Sequence, residues 1–147
     1  MVTNYAPLIW TISVWLLDTN VISEVRKTRP HPALLAWLDR QPRGAVFLSA
    51  ATIGEIQRGV ETTRRTDPEK AAEIEAWLGQ IIATSDILPA DERVFRRWAK
   101  LMNRRSSDLI VDALIAATAE VHHLTVATRN VRDFEALGVA VVNPFED

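Results

Sequence analysis

Short, continuous apolar runs separated by stretches with helical spacing predict a three-layer α/β/α domain with a mainly parallel sheet of four to five strands. Three features carry this expectation. Val14-Trp15-Leu16-Leu17 is apolar throughout and ends abruptly at Asp18, as a strand buried on both faces does. Leu124 to Thr128 repeats the pattern farther along the chain, and Ala45 to Ser49 is similar. Between these runs lie helix-length segments, and strands joined through helices give parallel sheets with right-handed crossovers.

Along the chain, Asn20 to Thr28 follows the first strand as a short helix. Pro32 to Arg40 forms another, with Leu34, Leu35, Trp37 and Leu38 as its apolar face. After the second strand, Ala51 to Arg65 is helical. Asp67-Pro68 then supplies a cap and a first-turn proline for a helix to about Ala83, packed through Ile74, Trp77, Leu78 and Ile81. Ile87-Leu88 is a short edge strand. Asp91 caps a helix to about Asn103, and Ser107 or Asp108 opens one reaching His122. Val131 to Leu137 is a short helix, and Val139 to Val142 the last strand.

The chain of 147 residues is 48% hydrophobic and carries a formal net charge of −2, which suits one domain with an ordinary core. That charge does not suggest a protein that coats nucleic acid. Without cysteine there are no disulfides, thiolate metal sites or cysteine nucleophiles, and a cytoplasmic setting is expected. The histidines are His31, His122 and His123; the adjacent pair diverges on a helix and does not suggest a histidine metal site. The apolar stretch from Leu8 to Leu17 is far short of a bilayer span, so no membrane association is expected. Residues 1–13 are read as an N-terminal extension and 14–147 as the domain.

Ligands of open α/β sheets bind beyond the carboxyl ends of the strands, where Asp18 falls. Asp112 interrupts Leu109-Ile110-Val111-Asp112-Ala113-Leu114-Ile115-Ala116-Ala117, a segment apolar nearly all round. A charge there is costly unless paired or bound to a metal. Glu55 follows the second strand, although Thr52-Ile53-Gly54-Glu55 also fits a capping box. Asn130 and Asp133 follow the third run in a pattern that capping explains equally well. Acids gathered at one sheet edge disfavour each other's ionisation, which a cation relieves. An oxygen-only donor set selects Mg²⁺, with Mn²⁺ as an alternative, and points to phosphate-ester chemistry. Arg93, Arg96, Arg97, Lys100 and Arg104 form a basic stripe, read either as a solvated face or as a phosphate-binding edge. Arg58 and Arg129 lie nearer the acids in sequence. The tryptophans fall mostly at core spacing.

At these residues the chain resembles the PIN-domain ribonucleases, specifically VapC-type toxins of type II toxin–antitoxin systems and their FitB-like branch. The carrying segments are Leu16 to Glu24, Leu48 to Gly59, Asp112 to Ala119 and Thr125 to Phe134. The resemblance implies a PIN-like fold and a Mg²⁺-dependent endoribonuclease in which Asp18, Glu55 and Asp112 are the catalytic, metal-binding acids. Asn130 or Asp133 is the fourth contributor, and Thr19, Asn20 and Thr128 line the site. Arg58 and Arg129 are candidates to orient the RNA phosphate. The resemblance also implies an RNA substrate, a homodimer and a cognate antitoxin protein as partner. Two other readings stand beside it. One is an inactive PIN-like binding module. The other is a haloacid-dehalogenase-like phosphatase, disfavoured because Asn20 stands where a second Asp is needed.

Overall fold

The computed structural model describes residues 13–146, and the expected extension over 1–13 therefore lies almost wholly outside the described residues. The strands are β1 (Trp15–Leu17), β2 (Val46–Ser49), β3 (Asp86–Leu88), β4 (Thr125–Ala127) and β5 (Val141–Val142). They form one sheet in the order β3-β2-β1-β4-β5, parallel throughout. The helices are α1 (Thr19–Val25), α2 (Pro32–Asp39), α3 (Ala50–Arg64), α4 (Pro68–Thr84), α5 (Glu92–Met102), α6 (Ile110–Val121) and α7 (Val131–Ala136). This is the expected three-layer architecture.

Alternation along β1 divides the core. Leu16 turns into a cluster with Val94, Leu101, Ile115, Val126 and Phe134, beneath α5, α6 and α7. Leu17, its neighbour, enters the opposite cluster with Val21, Leu34, Trp37, Leu48, Ile56 and Leu78, beneath α1 to α4. Successive strand side chains point to opposite faces, so a central strand must be apolar at every position. Each fully buried leucine contributes roughly 1.5–3 kcal/mol of burial free energy.

The order of the strands places the site. From β1 the chain moves outward through β2 to β3, then crosses back to add β4 and β5 on the other side. The strand order therefore reverses between β1 and β4, whose Leu17 and Ala127 are in register. A reversal of this kind opens a crevice beyond the carboxyl ends of the two strands. Asp18 and Thr128 are the residues that follow them.

Several local expectations are corrected. α3 starts at Ala50 with Ser49 as its cap, the Ser49 hydroxyl accepting from Ala51 N–H at 3.0 Å. Thr52 is thus already helical, and no capping box joins it to Glu55. Ser107–Leu109 is a 3-10 turn ahead of α6 rather than its first turn. Asn130 precedes α7 but its side chain does not cap it; its N–H instead donates to Thr128 Oγ1 at 2.8 Å. Leu35, assigned to the apolar face of α2, is exposed, because β1 and Phe145 lie on the side of Leu34 and Trp37.

Candidate active site

Asp18 is 4% exposed and held at both oxygens. Oδ1 accepts from Thr19 N–H at 2.8 Å, which caps α1, and Oδ2 accepts from Thr128 Oγ1 at 2.8 Å. The Asp18 N–H donates to Ala127 O at 2.9 Å, tying the end of β1 to the end of β4. Thr128 is fully buried, and its hydroxyl also accepts from Asn130 N–H. Burial pushes the Asp18 carboxyl up, the bonds from Thr128 and Thr19 pull it down, and the charge of Glu55 pushes it up again. The net shift is upward.

Asp112 stands in the first turn of α6, half-buried. Its carboxyl is pushed up to about 6, first by desolvation and then by the charges of Asp18, Glu55, Asp133 and Asp108. No hydrogen bond or ion pair relieves it among the described residues. Asp18 follows β1, Glu55 is on α3, Asp112 on α6 and Asp133 on α7, and the charges of the other three reach Asp112 from these separate elements. Glu55 and Asp133 are exposed and unpaired among the described residues, which leaves their carboxylates free to rotate.

Thr19 and Asn20 also meet the site. Thr19 Oγ1 donates to the buried Thr52 Oγ1 at 3.1 Å, linking α1 to α3, and Asn20 Oδ1 accepts from Arg129 N–H at 3.4 Å. Arg58 is exposed, and no ion pair engages its guanidinium among the described residues. Much of the basic stripe is engaged elsewhere: Arg97 binds Glu120 and Arg93 lies 3.4 Å from Asp91. Arg104 is off the helix altogether, in a left-handed conformation at φ 62°. Trp37 joins the core, while Trp15 meets it edge-on and donates from Nε1 to Gln41 at 2.8 Å.

Three residues near the site escaped the sequence reading. Asp108 adds its charge to the cluster around Asp112. Thr52, read only as half of a capping box, is fully buried behind Thr19. Glu24, 6% exposed, is bound by Lys27 Nζ at 2.8 Å and by the His31 N–H at 3.1 Å, with Arg129 Nη2 at 3.7 Å. A buried acid one turn beyond Asn20 was the available signal, but its partners are visible only in three dimensions.

The donor set fits a hard divalent cation: carboxylate oxygens, with neither sulfur nor histidine, whose mutual repulsion a cation removes. Among the described residues no three His, Asp or Glu side chains stand close enough to share an ion as they lie. The rotational freedom of Glu55 and Asp133 is compatible with closure on one.

Known proteins share this framework. The PIN-domain family model matches residues 15–139. The VapC ribonuclease Y4jK of Sinorhizobium fredii is 38% identical over 141 residues, covering 89% of this chain and 97% of the relative. Toxin FitB of Neisseria gonorrhoeae is 39% identical over 139 residues, covering 90% and 99%. Among solved structures, FitAcB from Neisseria gonorrhoeae matches with a TM-score of 0.78 at 37% identity, covering 91% of this chain and all of that one. VapBC-1 from nontypeable Haemophilus influenzae, at 18% identity, shares the fold with a TM-score of 0.73. The chain belongs to the PIN-domain family and, within it, to the group of VapC ribonucleases and FitB toxins.

Proposed function

We propose that this chain is the toxin of a type II toxin–antitoxin pair, acting as a Mg²⁺-dependent endoribonuclease in the cytoplasm. The observation that supports the reading is that the charges of Asp18, Glu55 and Asp133 all reach Asp112 near the end of β1, a cluster of acids that a cation would relieve. These four acids would hold the metal, with Mn²⁺ able to replace Mg²⁺. The charge of Asp133 reaches Asp112, which favours it over Asn130 as the fourth contributor. A metal held there would supply an activated water and neutralise charge on the phosphate.

The protein's own residues fix the geometry. Thr128 and the Thr19 N–H orient the Asp18 carboxylate, so it enters the reaction without reorganising. Asp112 is desolvated, which strengthens its attraction for a cation. Arg129 is the candidate to meet the phosphate; Arg58 retains that role only as a flexible surface cation. A solved structure at 26% identity is a toxin–antitoxin complex from Klebsiella pneumoniae, and a relative at 39% identity is Toxin FitB, which supports a cognate antitoxin as partner. We extend the same kinship to a homodimer.

The test is Mg²⁺-dependent cleavage of a structured RNA pool by the purified chain, with Asp112→Asn alongside and folding checked by circular dichroism. Cleavage by the wild type that chelator and the substitution both abolish supports the proposal. Cleavage persisting in the folded variant refutes it.

A further inference from the structure

Beside the acid cluster lies a polar groove of about 500 Å³, walled by Arg129, Asn130, Arg132, Asp133, Asn143 and Glu146. With Asp133 assigned to the metal set, the charged residues left in its lining are Arg129, Arg132 and Glu146. Arg129 is held there in an unusual way. Its guanidinium carbon lies 3.7 Å from the centroid of the Phe145 ring. Phe145 is itself buried at 8% exposure and meets His31 edge-on. On another side Arg129 Nη2 is 3.7 Å from Glu24 Oε1, too far for a hydrogen bond. Glu24 spends its closer contacts on Lys27 and the His31 N–H. Among the described residues the Arg129 side chain donates no hydrogen bond, yet it is 48% exposed. A planar fork of five donors is thus fixed in direction, unspent and open to the groove.

The geometry points to Arg129 as the phosphate anchor for the RNA strand beside the scissile bond, with Phe145 and Glu24 as its positioning residues. The inference deepens the nuclease reading and rests on it. Phe145 supplies a flat, negative ring face that restricts the guanidinium to one plane. Glu24 supplies a diffuse attraction from the side without occupying the donors. The backbone of the same residue holds Asn20 and follows Thr128, which holds Asp18. A phosphate gripped at Arg129 is therefore registered against the acids through one short loop. The C-terminal segment becomes part of the substrate groove, because Phe145 lies within it.

The test uses the full chain in EDTA, so that binding is read without cleavage. Anisotropy of a fluorescein-labelled single-stranded oligoribonucleotide is followed across a range of salt. Arg129→Ala is expected to weaken binding about tenfold, the scale of a lost charge-assisted contact. It should also flatten the slope of log K against log salt by about 0.7, one phosphate's share. Phe145→Leu keeps apolar volume but removes the π face and should weaken binding about threefold, whereas Phe145→Tyr retains it. Glu24→Gln should weaken binding in the same direction as Phe145→Leu.

An unchanged salt slope in Arg129→Ala overturns the anchor, as does a wild type that fails to bind the oligonucleotide. Equal affinities for Phe145→Leu and Phe145→Tyr overturn the platform. Failure of the nuclease reading registers separately, as a wild type that binds RNA with this salt slope but does not cleave it in Mg²⁺.

Discussion

Replacing Asp112 by Asn should stabilise the metal-free protein near neutral pH while removing its function. The Asp112 carboxyl is raised from 3.8 to about 6 by desolvation and by the charges of Asp18, Glu55, Asp133 and Asp108. A raised acid favours the folded state fully below the unfolded pKa, and that contribution is lost as pH rises through about 6. About two units correspond to about 3 kcal/mol. Because Asp112 is only half-buried, solvent screening reduces this to on the order of 1–2 kcal/mol. Asparagine keeps the shape without the charge, so Asp112→Asn should be more stable than wild type by that amount above about pH 6. The advantage should shrink toward zero near pH 4, around the ordinary carboxyl value. Urea unfolding of both proteins in EDTA at the two pH values measures it, as the effect of Asp112 together with the acids whose charges it feels. A variant less stable than wild type at neutral pH would refute the reasoning, since Asp112 would then have a stabilising partner.

Other expectations follow from the same contacts. Thr128→Val removes the donor to Asp18, a buried bond, and the acceptor for Asn130 N–H, a part-buried one; urea unfolding should show a loss of about 2–4 kcal/mol. Adding Mg²⁺ at about a hundred times its Kd should stabilise the wild type by about 2.7 kcal/mol. The same thermal-shift titration should leave Asp112→Asn much less affected. Gly138 closes α7 at φ 80° with open space where a Cβ would stand. Gly138→Ala should therefore cost only the left-handed backbone term, about 1 kcal/mol by chemical denaturation.

The parts of this fold written in one-dimensional patterns were legible from the chain. β1, β2 and β4 are buried on both faces, so their apolar runs and the acids that end or follow them stand out. The caps at Asp67 and Asp91 were equally plain, because each side chain bonds an N–H three residues on. Glu55 was obscured by a local pattern. Thr52 and Glu55 have capping-box spacing, but Ser49 at the end of β2 starts the helix first. Contacts between elements distant in sequence were not legible. Glu24 reads as one more polar residue of α1 until Arg129, over a hundred positions away, folds beside it. The basic stripe erred the other way: its spacing is helical, yet Glu120 and Asp91 claim part of its charge.

In the proposed reaction a water attacks an RNA phosphate, with help from a metal that Asp18, Glu55, Asp112 and Asp133 would hold. The end groups of the RNA fragments test this most directly. In Mg²⁺ the wild type should leave 5′-phosphate and 3′-hydroxyl ends, because an external water attacks and the 3′ oxygen departs. Asp18→Asn and Asp112→Asn, folded by circular dichroism, should produce none. Fragments ending in 2′,3′-cyclic phosphate, or the same fragments from the folded variants, would contradict a metal-assisted hydrolysis at these acids.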